Sequence, residues 1–125
     1  MNFINPEHTL PADTLVLDNT ADVLALGARL HRHGTVQLQF PKWTDGRAYS
    51  QAVLLRGRLR YAGDIVASGD VLADMAPLLR RCGFSMARLR ADQVQAVAEH
   101  ALGFFGEHFQ NYQSVPPERA GAAAT

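Results

Sequence analysis

The chain has 125 residues, 47% of them hydrophobic and 19% charged, the size and composition of one globular domain that can bury about 65–70% of its unfolded surface without covalent staples. Lys plus Arg balance Asp plus Glu at 12 each, so no net field is available to hold a phosphate backbone, and nucleic acid is not expected as a partner. Cys82 is the sole cysteine, which excludes an internal disulfide and any zinc site built on several thiolates, and fits a reducing cytoplasm. Met1 to Leu10 has no signal-peptide pattern, and no apolar run approaches the roughly 20 residues that span a bilayer, so a cytoplasmic protein without a membrane anchor is expected.

Residues 1–13, with Pro6 and Pro11 among polar side chains, read as an N-terminal arm. A strand is expected over Thr14–Asp18, then a helix over Thr20–Arg32 with Val23, Leu26, Gly27 and Leu30 on one stripe and Asn19 or Thr20 as its N-cap. Val36–Phe40 predicts the second strand, and Asp45–Arg58 a helix with Ala48, Ala52, Leu55 and Leu59 at helical spacing. Asp64–Ala67 predicts the third strand. The helix expected over Asp70–Arg81 carries Leu72, Met75, Ala76 and Leu79, but Pro77 in its interior calls for a kink or a later start. Met86–Leu89 predicts the fourth strand. The last helix, from Asp92 to about Phe109, is striped by Val94, Val97, Ala98, Ala101, Leu102, Phe105 and Phe109. Residues 114–125 read as a flexible tail, leaving a single domain over 14–113.

Basic residues followed by glycine end three of these helices, at His31–Gly34, Arg58–Gly63 and Arg80–Gly83, as the negative helix end and a left-handed cap require. The alternation predicts an α/β fold of four βα units on a mostly parallel sheet, either half-barrel-like or a small open doubly wound sheet. Either arrangement leaves two strand edges to be covered by the terminal arms or by a partner subunit, and a homo-oligomer is expected.

The stretch from Phe40 to Ser50 joins a strand to a helix, the usual place for ligands in α/β proteins. Thr44 or Asp45 can cap the helix, Gly46 leaves first-turn amides accessible, and Lys42 and Arg47 add positive charge, which suits a small anion such as sulfate, phosphate or sulfite. The competing structural reading has Asp45 capping, Arg47 pairing with an acid such as Asp70, and Trp43 packing over the barrel mouth at the sheet end. Asp70 follows the third strand and, with Asp45, is the candidate acid–base group of an enzyme; Asp64 belongs near the other end of the strand, too far for shared proton work. Ser68 or Asp70 is expected to cap the next helix. Cys82 at a helix C-terminus reads as inert. His31 with His33 and His100 with His108 lack zinc-binding helix spacing, so no metal is expected. Tyr49 and Ser50 have no histidine beside them.

A resemblance to a family rests on Phe40-Pro41-Lys42-Trp43-Thr44-Asp45-Gly46-Arg47-Ala48-Tyr49-Ser50, then Ala52 with Leu54-Leu55-Arg56, Gly69-Asp70-Val71-Leu72, and Leu79-Arg80-Arg81-Cys82-Gly83-Phe84. In combination these blocks, covering roughly Val36 to Gln113, resemble the bacterial domain of unknown function 934. The usual family pattern differs where this chain has Asp74-Met75-Ala76-Pro77 and Gly83-Phe84-Ser85. The resemblance implies association with assimilatory sulfite or nitrite reduction, members being labelled oxidoreductases of that pathway. The chain has no Gly-x-Gly-x-x-Gly and no cysteine cluster, so no cofactor of its own is expected and a reductase partner would hold it. Three functions follow: an accessory protein binding a reductase component or small anion through Lys42, Trp43, Thr44, Asp45, Gly46, Arg47 and Arg81; a small enzyme using Asp45 and Asp70 at the strand C-termini; or a structural homo-oligomeric module.

Overall fold

The computed structural model describes residues 1–103. Its frame is a five-stranded parallel sheet of β1 (Asn2–Ile4), β2 (Leu15–Leu17), β3 (Thr35–Phe40), β4 (Asp64–Gly69) and β5 (Met86–Arg88), in the order β1-β5-β4-β3-β2. β2 to β5 are the four expected strands. β1 comes from within the segment read as an arm and pairs along β5, so the chain's own start covers that edge.

β2, β3, β4 and β5 lie side by side in chain order, and right-handed crossovers that step in one direction place their helices on one face. Burial agrees. Val36, Leu38 and Phe40 of β3, Ile65 and Ala67 of β4 and Ala87 of β5 share a face by register. They form one core with Ala48, Ala52 and Leu55 of α1 (Arg47–Gly57), Leu79 of α2 (Ala76–Cys82) and Ala98 and Leu102 of α3 (95–103). The sheet is therefore singly wound, the half-barrel-like alternative, and not doubly wound.

The step from β1 at one edge to β2 at the other runs in the opposite direction, so residues 5–14 must cross the other face. Arg88 confirms this. Its neighbour Ala87 is in the core, so Arg88 points to the other face, where its guanidinium donates to the carbonyls of Asn5 at 3.0 Å, Pro6 at 3.0 Å and His8 at 2.8 Å. The same face carries a polar chain: Gln37 Nε2 donates to Ser68 Oγ at 2.9 Å, and Ser68 Oγ donates to Gln39 Oε1 at 2.8 Å. Parallel sheets are normally covered on both faces. Here a strap of irregular chain and a layer of side-chain hydrogen bonds stand where a doubly wound fold has a second helical layer.

The helices depart from expectation for local reasons. The first segment is a 3-10 helix over Val23–Arg32, not an α-helix over Thr20–Arg32, and it is broken at Gly27 (φ 56°, ψ −139°), a conformation essentially reserved for glycine. Neither Asn19 nor Thr20 caps it. Asp18 holds Thr20 through its amide (2.8 Å) and hydroxyl (2.6 Å), and Asp22 is the N-cap, accepting from the Leu24 amide at 3.1 Å. The third helix begins later than Asp70, with a 3-10 turn over Ala73–Met75 leading into α2, so that Pro77 falls in the first α-turn, where its missing N–H has no cost. Ser68 faces the polar side and caps nothing.

α3 starts at 95, after Asp92 has been taken by Arg90. Ala98 and Leu102 of its expected stripe are buried, whereas Val94 and Val97 are more than half exposed, at 58% and 54%. Phe105, Phe109, His108 and the expected tail lie outside the described residues.

At the amino end of the sheet, Arg56 is half-buried. Its Nε donates to the Gly83 carbonyl at 2.9 Å and its Nη1 to the carbonyls of Tyr61 at 2.9 Å and Gly63 at 2.7 Å, tying α1 to the end of α2 and to the entry into β4.

Candidate functional site at the carboxyl end of the sheet

In a parallel sheet all strand exits gather at one end, and the loops there are free to carry function. The loop after β3, residues 41–46, is clamped from both sides. Gly69 ends β4 at φ 98°, and a Cβ there would stand 2.5 Å from the Phe40 carbonyl oxygen. Only glycine lets Asp70 approach so closely, its amide donating to that carbonyl at 2.8 Å. The Asp70 carboxylate then accepts from the Trp43 amide at 2.8 Å. On the other side, buried Asn19 follows β2 and its Nδ2 donates to Asp45 Oδ2 at 2.8 Å. Between the clamps the loop turns tightly, with the Asp45 amide donating to the Lys42 carbonyl at 2.9 Å.

Asp45 is the centre of the loop's charge. Arg47 donates to it in a fork, Nε to Oδ1 at 3.1 Å and Nη2 to Oδ2 at 2.8 Å, and the Arg47 amide donates to Oδ1 at 3.1 Å. Asp45 thus covers the start of α1, whose N-cap, Gly46, supplies no side chain. The protein's own carboxylate already takes the Arg47 amide, the first of that helix, where a small anion would otherwise bind. Arg47 pairs with Asp45 and not with Asp70, contrary to the packing alternative. Asp70 instead receives Arg90 Nη1 at 2.6 Å, and Arg90 also forks onto Asp92, with Nε to Oδ1 at 2.6 Å and Nη2 to Oδ2 at 2.9 Å.

These contacts fix the protonation states. Arg47, chiefly through its side-chain hydrogen bonds, holds the Asp45 carboxyl well below the usual range. The Trp43 amide, then Arg90, lowers Asp70, and Arg90 lowers Asp92 to about 2. Arg90 is raised in turn, by Asp92 first and Asp70 second. General acid–base work calls for a group that titrates near the working pH. Asp45 and Asp70 are instead held ionised by separate sets of partners, with no shared one among the described residues.

A family model described as a bacterial protein of unknown function (DUF934) matches residues 14–118. The chain belongs to this family. No curated protein and no solved structure is significantly similar to it. The DUF934 match takes in every clamp residue, from Asn19 to Asp92, whereas β1 and residues 5–13 of the strap precede it.

The remaining candidates of this DUF934 chain divide by position. Lys42, Trp43, Thr44, Asp45, Gly46 and Arg47 stand together on the clamped loop. Lys42 is exposed, and its ammonium has no partner among the described residues. Trp43 does not pack over the sheet end: 53% of it is exposed. Arg81 is not brought to this loop, because α2 runs back from the carboxyl end and Arg81 lies in its last turn, beside Gly83 and Arg56 at the amino end. Tyr49 is half-buried against Phe40, with ring centroids 5.0 Å apart, and burial pushes its hydroxyl up to about 12, so it holds its proton at neutral pH. Burial likewise raises the half-buried Cys82 thiol. No group of three or more His, Cys, Asp and Glu side chains converges as a metal site among the described residues, and no described helix is long and apolar enough to cross a membrane.

Asn19, expected only as a helix cap, Asp92, expected only as a helix start, and Arg90 are site residues that the sequence did not announce. Arg90-Ala91-Asp92 carried the one available signal, a basic and an acidic residue two apart directly after a strand.

Proposed function

We propose that this DUF934 protein is a non-catalytic accessory protein that docks a partner protein on the loop of Lys42 and Trp43, and that the partner is a component of assimilatory sulfite or nitrite reduction in the cytoplasm. The pathway comes from the family resemblance. The docking mode is supported by one observation above the others: Trp43 is half exposed on a loop whose backbone is fastened from both sides. Tryptophan is enriched among residues that dominate protein interfaces, and a preformed loop loses little entropy on binding. Lys42 beside it supplies an uncommitted charge for an acidic rim on the partner. The anion reading is weaker because Asp45 occupies the helix end and Arg47 is spent on Asp45. The acid–base reading is weaker because Asp45 and Asp70 are held ionised apart.

The homo-oligomeric module remains as a second reading because the outer edge of β2 has no neighbouring strand among the described residues and Val16 there is 55% exposed. Binding of purified assimilatory sulfite reductase to the immobilised chain tests both. Trp43→Ala is expected to raise Kd at least about tenfold, the scale of a central interface residue, and Lys42→Glu to slow association, with mass by light scattering unchanged. Equal binding by all three proteins would defeat the docking reading, and a change of oligomeric mass in Trp43→Ala would favour the module.

A further inference from the structure

The exits of β1 and β5 diverge. These strands are neighbours, yet the chain leaves β1 across the polar face and leaves β5 towards α3 on the helical face. Such a divergence is the topological switch point of an α/β sheet, where a crevice opens at the carboxyl ends and ligands bind. A cleft of about 200 Å³ lies there, walled by Ile4, Asn5 and Pro6 after β1 and by Leu89, Arg90, exposed Ala91 and Gln93 after β5. Trp43 does not line it, although Asp70 links Arg90 to the Trp43 amide, and the inference does not depend on the docking reading.

The wall specifies what fits. A volume of 200 Å³ holds roughly seven waters at liquid density, the space of one ring with a substituent. Ile4, Pro6 and Leu89 provide apolar surface for flat faces. Arg90 is fixed by three hydrogen bonds to Asp70 and Asp92. A guanidinium has five N–H groups, so one on Nη1 and one on Nη2 remain to donate. The amide of Asn5 adds a further donor and an acceptor. Asp70 and Asp92 balance the guanidiniums of Arg90 and of Arg88, which donates to the Asn5 and Pro6 carbonyls, so the neighbourhood has no surplus positive charge to hold sulfite, sulfate or a carboxylate. The arrangement wants a carbonyl oxygen without a charge. We propose that the switch-point cleft binds a small uncharged planar carbonyl compound, a carboxamide or lactam ring, whose oxygen accepts from Arg90.

The test is an amide-resolved NMR titration of the full chain with nicotinamide and uracil as probes, with benzoate and sulfite as charged counterparts. Saturable shifts at the amides of Ile4, Asn5 and residues 89–95 are expected with at least one of the neutral probes. Filling the cleft from its exposed wall with Ala91→Phe, in a variant whose remaining spectrum matches wild type, is expected to weaken that binding at least tenfold. Absence of shifts at those residues with both neutral probes at millimolar concentration overturns the proposal. So does equal binding in Ala91→Phe, and so does equal or tighter binding of benzoate or sulfite. None of these results bears on Trp43, so failure here leaves the docking reading standing.

Discussion

Gly69 does more for the candidate site than any charged residue, because the close approach of Asp70 to Phe40 is open to no side chain. Gly69→Ala is expected to cost about 2 kcal/mol or more, through its left-handed backbone and the contact with the Phe40 carbonyl. Gly57→Ala is the control. It is exposed in α1, a Cβ there meets nothing within 4 Å, and it is expected to be neutral or stabilising by up to about 1 kcal/mol. Urea unfolding of the two variants checks both signs. The carboxylates make a second prediction. Asp45, Asp70 and Asp92 are all held below 3.8, the ordinary value. A value lowered on folding contributes stability that is full above the unfolded value and is lost as pH falls through the folded one. Stability should therefore decline from about pH 4 downward, through about 2 for Asp92. Asp70→Asn should be less stable than wild type near pH 7, and the gap should shrink near pH 3. An unchanged gap would mean that the Asp70 contacts do not depend on its charge. At this scale the sequence was legible where partners are close in the chain: Asp45 over the α1 start needs only Arg47, two residues on. Asn19 to Asp45 spans 26 residues and Arg90 to Asp70 spans 20, and no local pattern announces either.

Among elements, β2 to β5 were readable because a short apolar run between turn residues is a strong local signal, and Pro77 correctly forced α2 to start late. The first helix was misread because Gly27 was counted as part of an apolar stripe when its backbone breaks the helix, and because Asp18 and Asp22 compete for nearby amides before the helix can begin. β1 was missed because three residues carry no periodicity, and its partner β5 lies more than 80 residues away in the chain. The strap behind it is held by Arg88. Arg88→Ala should cost about 1 kcal/mol, since three exposed carbonyls exchange a charged donor for water. It should also speed amide exchange at His8 and Thr14, the strap amides bonded to Asn5 and Pro11. Unchanged exchange there would show that the strap is held by other contacts.

For the whole molecule, a singly wound sheet with helices on one face and a strap on the other explains why one end gathers every clamp while the other is devoted to Arg56 and the helix ends. The choice between half-barrel-like and doubly wound could not be read from the chain, because both share the same local alternation and differ only in the direction of each crossover. The same topology separates two surfaces at the carboxyl end, the Trp43 loop over β3 and the cleft between β1 and β5. Trp43 is the sole tryptophan of the chain, so biosynthetic 5-fluorotryptophan places a single fluorine on the proposed docking loop. Its 19F resonance, recorded while unlabelled assimilatory sulfite reductase is added, tests the central claim most directly. Docking through this loop requires a resonance that shifts or broadens saturably as Trp43 leaves solvent. A resonance that stays at its free position, sharp, at saturating reductase would contradict it.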